Sequence, residues 1–137
     1  MLTNSRSKPR RILIADDDAI IRHTVTRFVE LEGCQPIVVD DGGAAYRLLQ
    51  TDSNFSGAII DMMMPQLEGI ELMRFMRSEK RLMRIPVMMI TSETDLKLMA
   101  NSFAAGVTIF LPKPFTTEQF LSTFRLLLNQ QPEPLCQ

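Results

Sequence analysis

The sequence predicts an α/β fold of the (βα)5 kind, a doubly wound, five-stranded parallel sheet with helices on both faces. Three observations carry that prediction. Five short apolar runs are near-continuous blocks without in-and-out alternation, the pattern of strands buried on both faces. Longer segments with apolar residues at helical spacing lie between them. No internal repeat or linker interrupts residues 10–129.

The elements follow in order. The first strand is read at 12–15 and the first helix at 19–32, with Ile21, Val25, Phe28 and Val29 on one face. Gly33 stands where a left-handed C-terminal cap would close that helix. A strand at 37–39 precedes a helix at 43–50 that presents Ala44, Ala45, Leu48 and Leu49. A strand at 58–60 precedes a helix at 67–77 with Leu67, Ile70, Leu72, Met73 and Met76. The fourth pair is a strand at 87–90 and a helix at 94–105, which Gly106 closes. The fifth is a strand at 107–111 and a helix at 116–129, with Thr116 as N-cap and Phe120, Leu121, Phe124, Leu127 and Leu128 facing inward. Residues 1–9 read as a flexible tail, and 130–137 as a second tail or the start of a linker.

Composition narrows the function. A chain of 137 residues suits one domain with a real core, and 45% hydrophobic with 23% charged residues excludes whole-chain disorder. A net charge of −1 gives no global field toward nucleic acid or an anionic membrane. Two cysteines, Cys34 and Cys136, make neither a disulfide framework nor a metal-type spacing. The opening MLTNSRSKPRR lacks the apolar stretch of a signal peptide, and no run reaches membrane-spanning length. A cytoplasmic domain is expected, without direct binding to nucleic acid or membrane.

The chemistry lies at the strand ends, where open α/β sheets bind ligands. The stretch Ile12-Leu13-Ile14-Ala15 runs directly into Asp16, Asp17 and Asp18. Desolvating unpaired carboxylates costs several kcal/mol, roughly, so such a cluster at the mouth of a buried strand calls for a cation. The third strand ends in Asp61, the fourth in Thr91 and Ser92, and the fifth runs into Lys113 and Pro114. Carboxylates without nearby histidine or cysteine favour a hard cation, Mg2+ before Zn2+. A hydroxyl and an ammonium beside it suit phosphoryl oxygens, and one carboxylate can then act as a nucleophile forming an acyl phosphate. Singly, an acidic triplet before a helix is a cap, a Thr-Ser pair a turn and a Lys-Pro pair a loop. Their arrival on four strand ends of one sheet is what points to a site.

With RILIADDDAIIR, IIDMMMPQLEG, VMMITS and FLPKPF in this order, residues 10–129 resemble the receiver domain of bacterial two-component response regulators, single-domain chemotaxis regulators included. The resemblance implies the flavodoxin-like strand order 2-1-3-4-5. It implies that Asp61 accepts a phosphoryl group from a sensor histidine kinase or a histidine phosphotransfer protein. Asp17, Asp16 (partly through water), Asp61 and the Met63 backbone carbonyl would hold Mg2+. Thr91 and Lys113 would contact phosphoryl oxygens, Lys113-Pro114 would be a cis peptide, and Asp18 would start the helix. Thr91 and Phe110 would form the switch, Phe110 standing where the family frequently has tyrosine. Phosphorylation would then reshape the face formed by the fourth helix, fifth strand and fifth helix, so that a partner protein binds. Inverting a 1:99 population takes about 5.5 kcal/mol, more than one charge-assisted contact supplies.

Departures from the family pattern matter too. Thr108 and Ile109 occupy places that are acidic in receivers attached to winged-helix domains, against that mode of symmetric dimer, although the resemblance leaves room for a phosphorylation-dependent dimer. Met63 and Glu93 occupy places that tune water access, and slow dephosphorylation is expected. The basic run Arg74, Arg77, Lys80, Arg81 and Arg84 reads as a solvated helix end, His23 as an exposed helix residue, and the ten methionines as adaptable core filler. The module is expected to turn over no metabolite. Two other functions are weighed against it. A haloacid-dehalogenase-type phosphatase would use Asp16 and Asp18, but it needs a late acidic pair, and only Glu118 and Glu133 follow Lys113. A receiver fold that signals without phosphate is countered by the complete Asp, Asp, Thr and Lys set.

Overall fold

The computed structural model describes residues 8–92 and 96–130. Residues 1–7 and 131–137 of the tails expected at 1–9 and 130–137, together with Glu93 and the expected helix start at 94, lie outside the described residues. Ten elements alternate strictly: β1 (Arg11–Ala15), α1 (Ala19–Leu31), β2 (Gln35–Val39), α2 (Gly42–Thr51), β3 (Gly57–Asp61), α3 (Gly69–Ser78), β4 (Val87–Thr91), α4 (Leu96–Ala104), β5 (Ile109–Pro112) and α5 (Thr117–Leu128). All strands run parallel, in the order β2-β1-β3-β4-β5.

The continuous apolar runs behave as two-faced strands. Leu13 and Ala15 of β1 join Ala58, Ile60, Val87 and Met89 on the side covered by α2 and α3. Ile12 and Ile14 turn the other way, with Ile59, Met88 and Ile90, onto Val25 and Val29 of α1 and Phe120, Phe124 and Leu127 of α5. Each of these side chains larger than alanine contributes about 1.5–3 kcal/mol when fully buried. The edge strands depart from this pattern: β2 and β5 are only half covered.

Local chemistry sets the element ends. Asp18 caps α1, its Oδ1 accepting from the backbone N–H of Ile20 (2.9 Å) and Ile21 (3.2 Å). Thr116 and Gln119 form a reciprocal capping box at α5. Gly33 and Gly106 adopt φ of 81° and 110° after α1 and α4, a region other residues enter at a cost.

Most boundaries fall within one residue of expectation; three element starts among the described residues are displaced by two. Strand β2 begins at Gln35 and includes Pro36, which is tolerated because β2 lies on the sheet edge. Helix α3 begins at Gly69, since Leu67 belongs to the preceding loop and bonds Pro65 O through its N–H. Strand β5 begins at Ile109, because buried Val107 spends its N–H on Ser102 O, closing the end of α4.

Candidate functional site

Strand register brings the candidates together. Ala15 pairs with Ile60, so Asp16 emerges beside Asp61; Asp61 pairs with Ile90, and Thr91 with Pro112, so Thr91 and Lys113 complete the rim. The Lys113 N–H bonds Thr91 O at 2.8 Å, and the Lys113–Pro114 peptide is cis. Asp16 and Asp61 are buried at 2% and 6% exposure, while Asp17 is exposed. Carboxylate oxygens of Asp16, Asp17 and Asp61 all lie within 4.8 Å of one another.

Compensation is partial. The Lys113 ammonium stands 3.7 Å from Asp61 Oδ1 and 4.0 Å from Asp16 Oδ2, ion-pair range but beyond a hydrogen bond. Asp16 Oδ1 accepts from the Asp18 N–H at 2.8 Å, and Asp61 Oδ1 has a long contact of 3.5 Å from the Met63 N–H. Asp16 Oδ2 is fully buried with no hydrogen-bond partner. Burial foremost, then the neighbouring Asp16 carboxylate, pushes Asp61 up to about 7, against the pull of Lys113 and the Met63 N–H. Burial also raises Asp16, opposed by the Asp18 N–H and Lys113. Three oxygen donors, one of them a buried acceptor lacking a partner, fit a hard divalent cation.

The switch candidates sit one layer away. Thr91, 1% exposed, donates its hydroxyl to Met62 Sδ at 3.5 Å. Half-buried Phe110 meets Phe103 of α4 edge-to-face, with centroids 4.8 Å apart at 82°. Beside it a groove of about 420 Å3 runs between β5 and α5, past Pro112, Pro114 and Ser122. Thr108 accepts the Val87 N–H on its hydroxyl at 3.0 Å, tying β4 to the segment before β5.

Sequence reasoning missed three supporting groups. Arg22, one turn into α1, donates to Asp16 O at 2.9 Å and fixes the backbone between the two acids. Met62 holds the Thr91 hydroxyl. Arg77, expected in a solvated basic run, is half-buried and feeds the carbonyls of Met83, Ile85 and Gly106 at 2.8–3.2 Å. Nothing in the chain's spacing flags Arg77, because its acceptors come from two later loops. His23 is exposed, as are Met63 and Met83, while Met62, Met64, Met73, Met76, Met88 and Met89 are buried.

The model of the response regulator receiver domain family matches residues 12–125, and the chain belongs to that family. Receivers of this family are signalling domains and not metabolic enzymes. The chain is 32% identical over 122 residues to the response regulator MprA of Mycolicibacterium vanbaalenii, covering 89% of this chain and 52% of that protein. It thus spans about half the length of the curated relatives it matches. Among solved structures it resembles the Vibrio cholerae chemotaxis response regulator CheY4, with TM-score 0.81 and 28% identity over 88% of this chain and 99% of that one. The receiver domain of the Francisella response regulator 1452 aligns with TM-score 0.79 and 28% identity over 90% and 99% of the two chains. The phosphatase alternative falls with the family assignment, and Asp18, the acid it required, is engaged as the α1 cap. Among the described residues no helix is long and apolar enough to cross a membrane.

Proposed function

We propose that this receiver, residues 10–129, takes a phosphoryl group onto Asp61 from a phosphohistidine of a sensor kinase or phosphotransfer protein, in the cytoplasm. The observation that carries the reading is the carboxylate trio itself, two of its members buried, with Asp16 Oδ2 lacking a hydrogen-bond partner and Lys113 poised beside both inner acids. Asp16, Asp17, Asp61 and the Met63 backbone carbonyl are the residues that would hold Mg2+. The bound ion would neutralise the carboxylates and the phosphoryl oxygens they meet.

The chain's own residues supply the rest. A carboxylate oxygen of Asp61 forms the new bond to phosphorus while the donor's N–P bond breaks, its electron pair remaining on the imidazole. Asp61 attacks in its ionised form, which burial disfavours in the metal-free protein and the neighbouring Lys113 ammonium favours. The Lys113 ammonium binds the incoming oxygens, and Thr91 leaves Met62 Sδ to join them. The Thr91 shift frees space for Phe110, whose edge-to-face partner Phe103 carries the change into α4. The altered α4-β5-α5 face is read by a partner protein. Met63, half exposed beside Asp61, shields the acyl phosphate from water, and Met63→Asn should shorten its half-life.

Intact-mass measurement after incubation with Mg2+ and acetyl phosphate tests the reading. A single phosphoryl adduct on wild type, lost with EDTA and absent in Asp61→Asn, is expected. An adduct that persists in Asp61→Asn would remove Asp61 as the acceptor.

A further inference from the structure

The segment from Met62 to Glu68 joins β3 to α3 and carries the Met63 carbonyl past Asp61. Its ends are tied: the Met62 N–H bonds Ile90 O at 2.9 Å, and the Gly69 N–H bonds Met62 O at 3.0 Å. Its middle has less of its own structure. The Leu67 N–H bonds Pro65 O at 2.8 Å, and Gln66 adopts φ of 72°, a left-handed conformation that glutamine rarely takes. This part of the loop rests on a different element, the start of α2.

The fit there is unusually close. A Cβ placed on Gly42 would lie 1.8 Å from the Leu67 carbonyl oxygen, 2.7 Å from its carbonyl carbon and 2.8 Å from its Cβ. None of these atoms can swing aside, because all three belong to or directly flank the loop backbone. On Gly43 the added Cβ would meet Gln66 Oε1 at 2.3 Å, the free end of a flexible side chain. The two neighbouring glycines are therefore not equivalent: one abuts backbone, the other a movable amide. Glycine is also a poor choice for the first residue of a helix already capped by Asp41, so its place at 42 answers the loop and not α2.

We propose that Gly42 is a positioning residue for the cation site. By admitting the Leu67 carbonyl it sets how far the β3–α3 loop closes toward Asp61, and hence where the Met63 carbonyl stands. The inference rests on the Mg2+ reading given above. A methyl group at 42 forces loop and helix apart by roughly 1.6 Å, from 1.8 Å to the 3.4 Å at which ordinary contact begins. Displacing a ligand's support in this way costs about tenfold or more in metal affinity.

Calorimetric titration of the full chain with MgCl2, for wild type, Gly42→Ala and Gly43→Ala, tests this. Gly42→Ala should weaken Mg2+ binding about tenfold, while Gly43→Ala stays within about twofold of wild type. Phosphoryl uptake from acetyl phosphate should need more Mg2+ in Gly42→Ala yet recover its rate at saturation, a split that a general loss of stability would not give. Equal Mg2+ affinity in Gly42→Ala and wild type, or equal losses in both variants, would overturn the role of Gly42 alone. Absence of Mg2+ binding in wild type would instead overturn the underlying site reading. Should Gly42→Ala not fold, hydrogen exchange on wild type decides. Protection by Mg2+ that reaches the amides of 42–45 along with 62–69 supports the contact, and protection confined to 62–69 overturns it.

Discussion

The two ends of the sheet handle charge in opposite ways. At the amino ends of the strands, Arg11 makes two hydrogen bonds of 2.9 Å to Asp52, a third of 2.8 Å to Asn54 O, and lies 4.8 Å from the centre of the Phe55 ring. Nearby, half-buried Arg77 is satisfied by three carbonyls. At the carboxyl ends, three carboxylates crowd within 4.8 Å, with Lys113 too far for a hydrogen bond and Asp16 Oδ2 unsatisfied. The pKa directions agree with this contrast: Arg11 holds the Asp52 carboxyl below its usual range, while burial and Asp16 push Asp61 up to about 7. One end is complete within the chain and serves stability. The other is left incomplete, and under the proposed function Mg2+ completes it.

The largest effect expected at the complete end is from Arg77. Replacing it with Met should destabilise the protein by about 2–4 kcal/mol, because three carbonyls, those of Ile85 and Gly106 in part-buried bonds, lose their charged donor. Chemical denaturation measures this, and Mg2+ affinity should not change. Lysine would rescue poorly, since a single ammonium cannot span the carbonyls of two loops.

The pH dependence sharpens the contrast, because the two ends titrate with opposite sign. Asp61 binds its proton more tightly folded than unfolded, so its contribution favours the fold at low pH. That contribution is lost as pH rises from about 4 to about 7. Metal-free protein should therefore lose on the order of 1–3 kcal/mol over that range relative to Asp61→Asn. Asp52, held low by Arg11, behaves oppositely: its contribution is present at neutral pH and is lost as pH falls below about 4. A set of denaturation curves between pH 3 and pH 8 separates the two.

The smallest effect is at the Arg11–Asp52 pair itself. Both side chains are partly exposed, at 23% and 27%, so Arg11→Met should cost only about 1 kcal/mol at neutral pH and nothing at the acidic cluster.

Much of this was legible in the chain. Buried parallel strands are written as unbroken apolar runs, and the convergence of Asp16, Asp61, Thr91 and Lys113, at or just past the strand ends, could be read directly because sheet topology gathers those ends. Asp18 as an α1 cap was legible for the same local reason. What was not legible depends on contacts distant in sequence. Val107 is as apolar as a strand residue but is buried in a turn, and Pro36 is a breaker that an edge strand accepts. Arg77 looked like its solvated neighbours, and nothing in the chain singled out Gly42, until the loops packed against them were in place.

On the proposed reading, the acidic end is strained until Mg2+ enters it. Thermal unfolding of wild type and Asp61→Asn at pH 8, each in EDTA and in excess Mg2+, tests this most directly. We predict that Asp61→Asn is the more stable of the two in EDTA, and that Mg2+ raises the melting temperature of wild type far more than that of the variant. An Asp61→Asn protein that is less stable in EDTA, or that gains as much from Mg2+ as wild type does, would contradict the account.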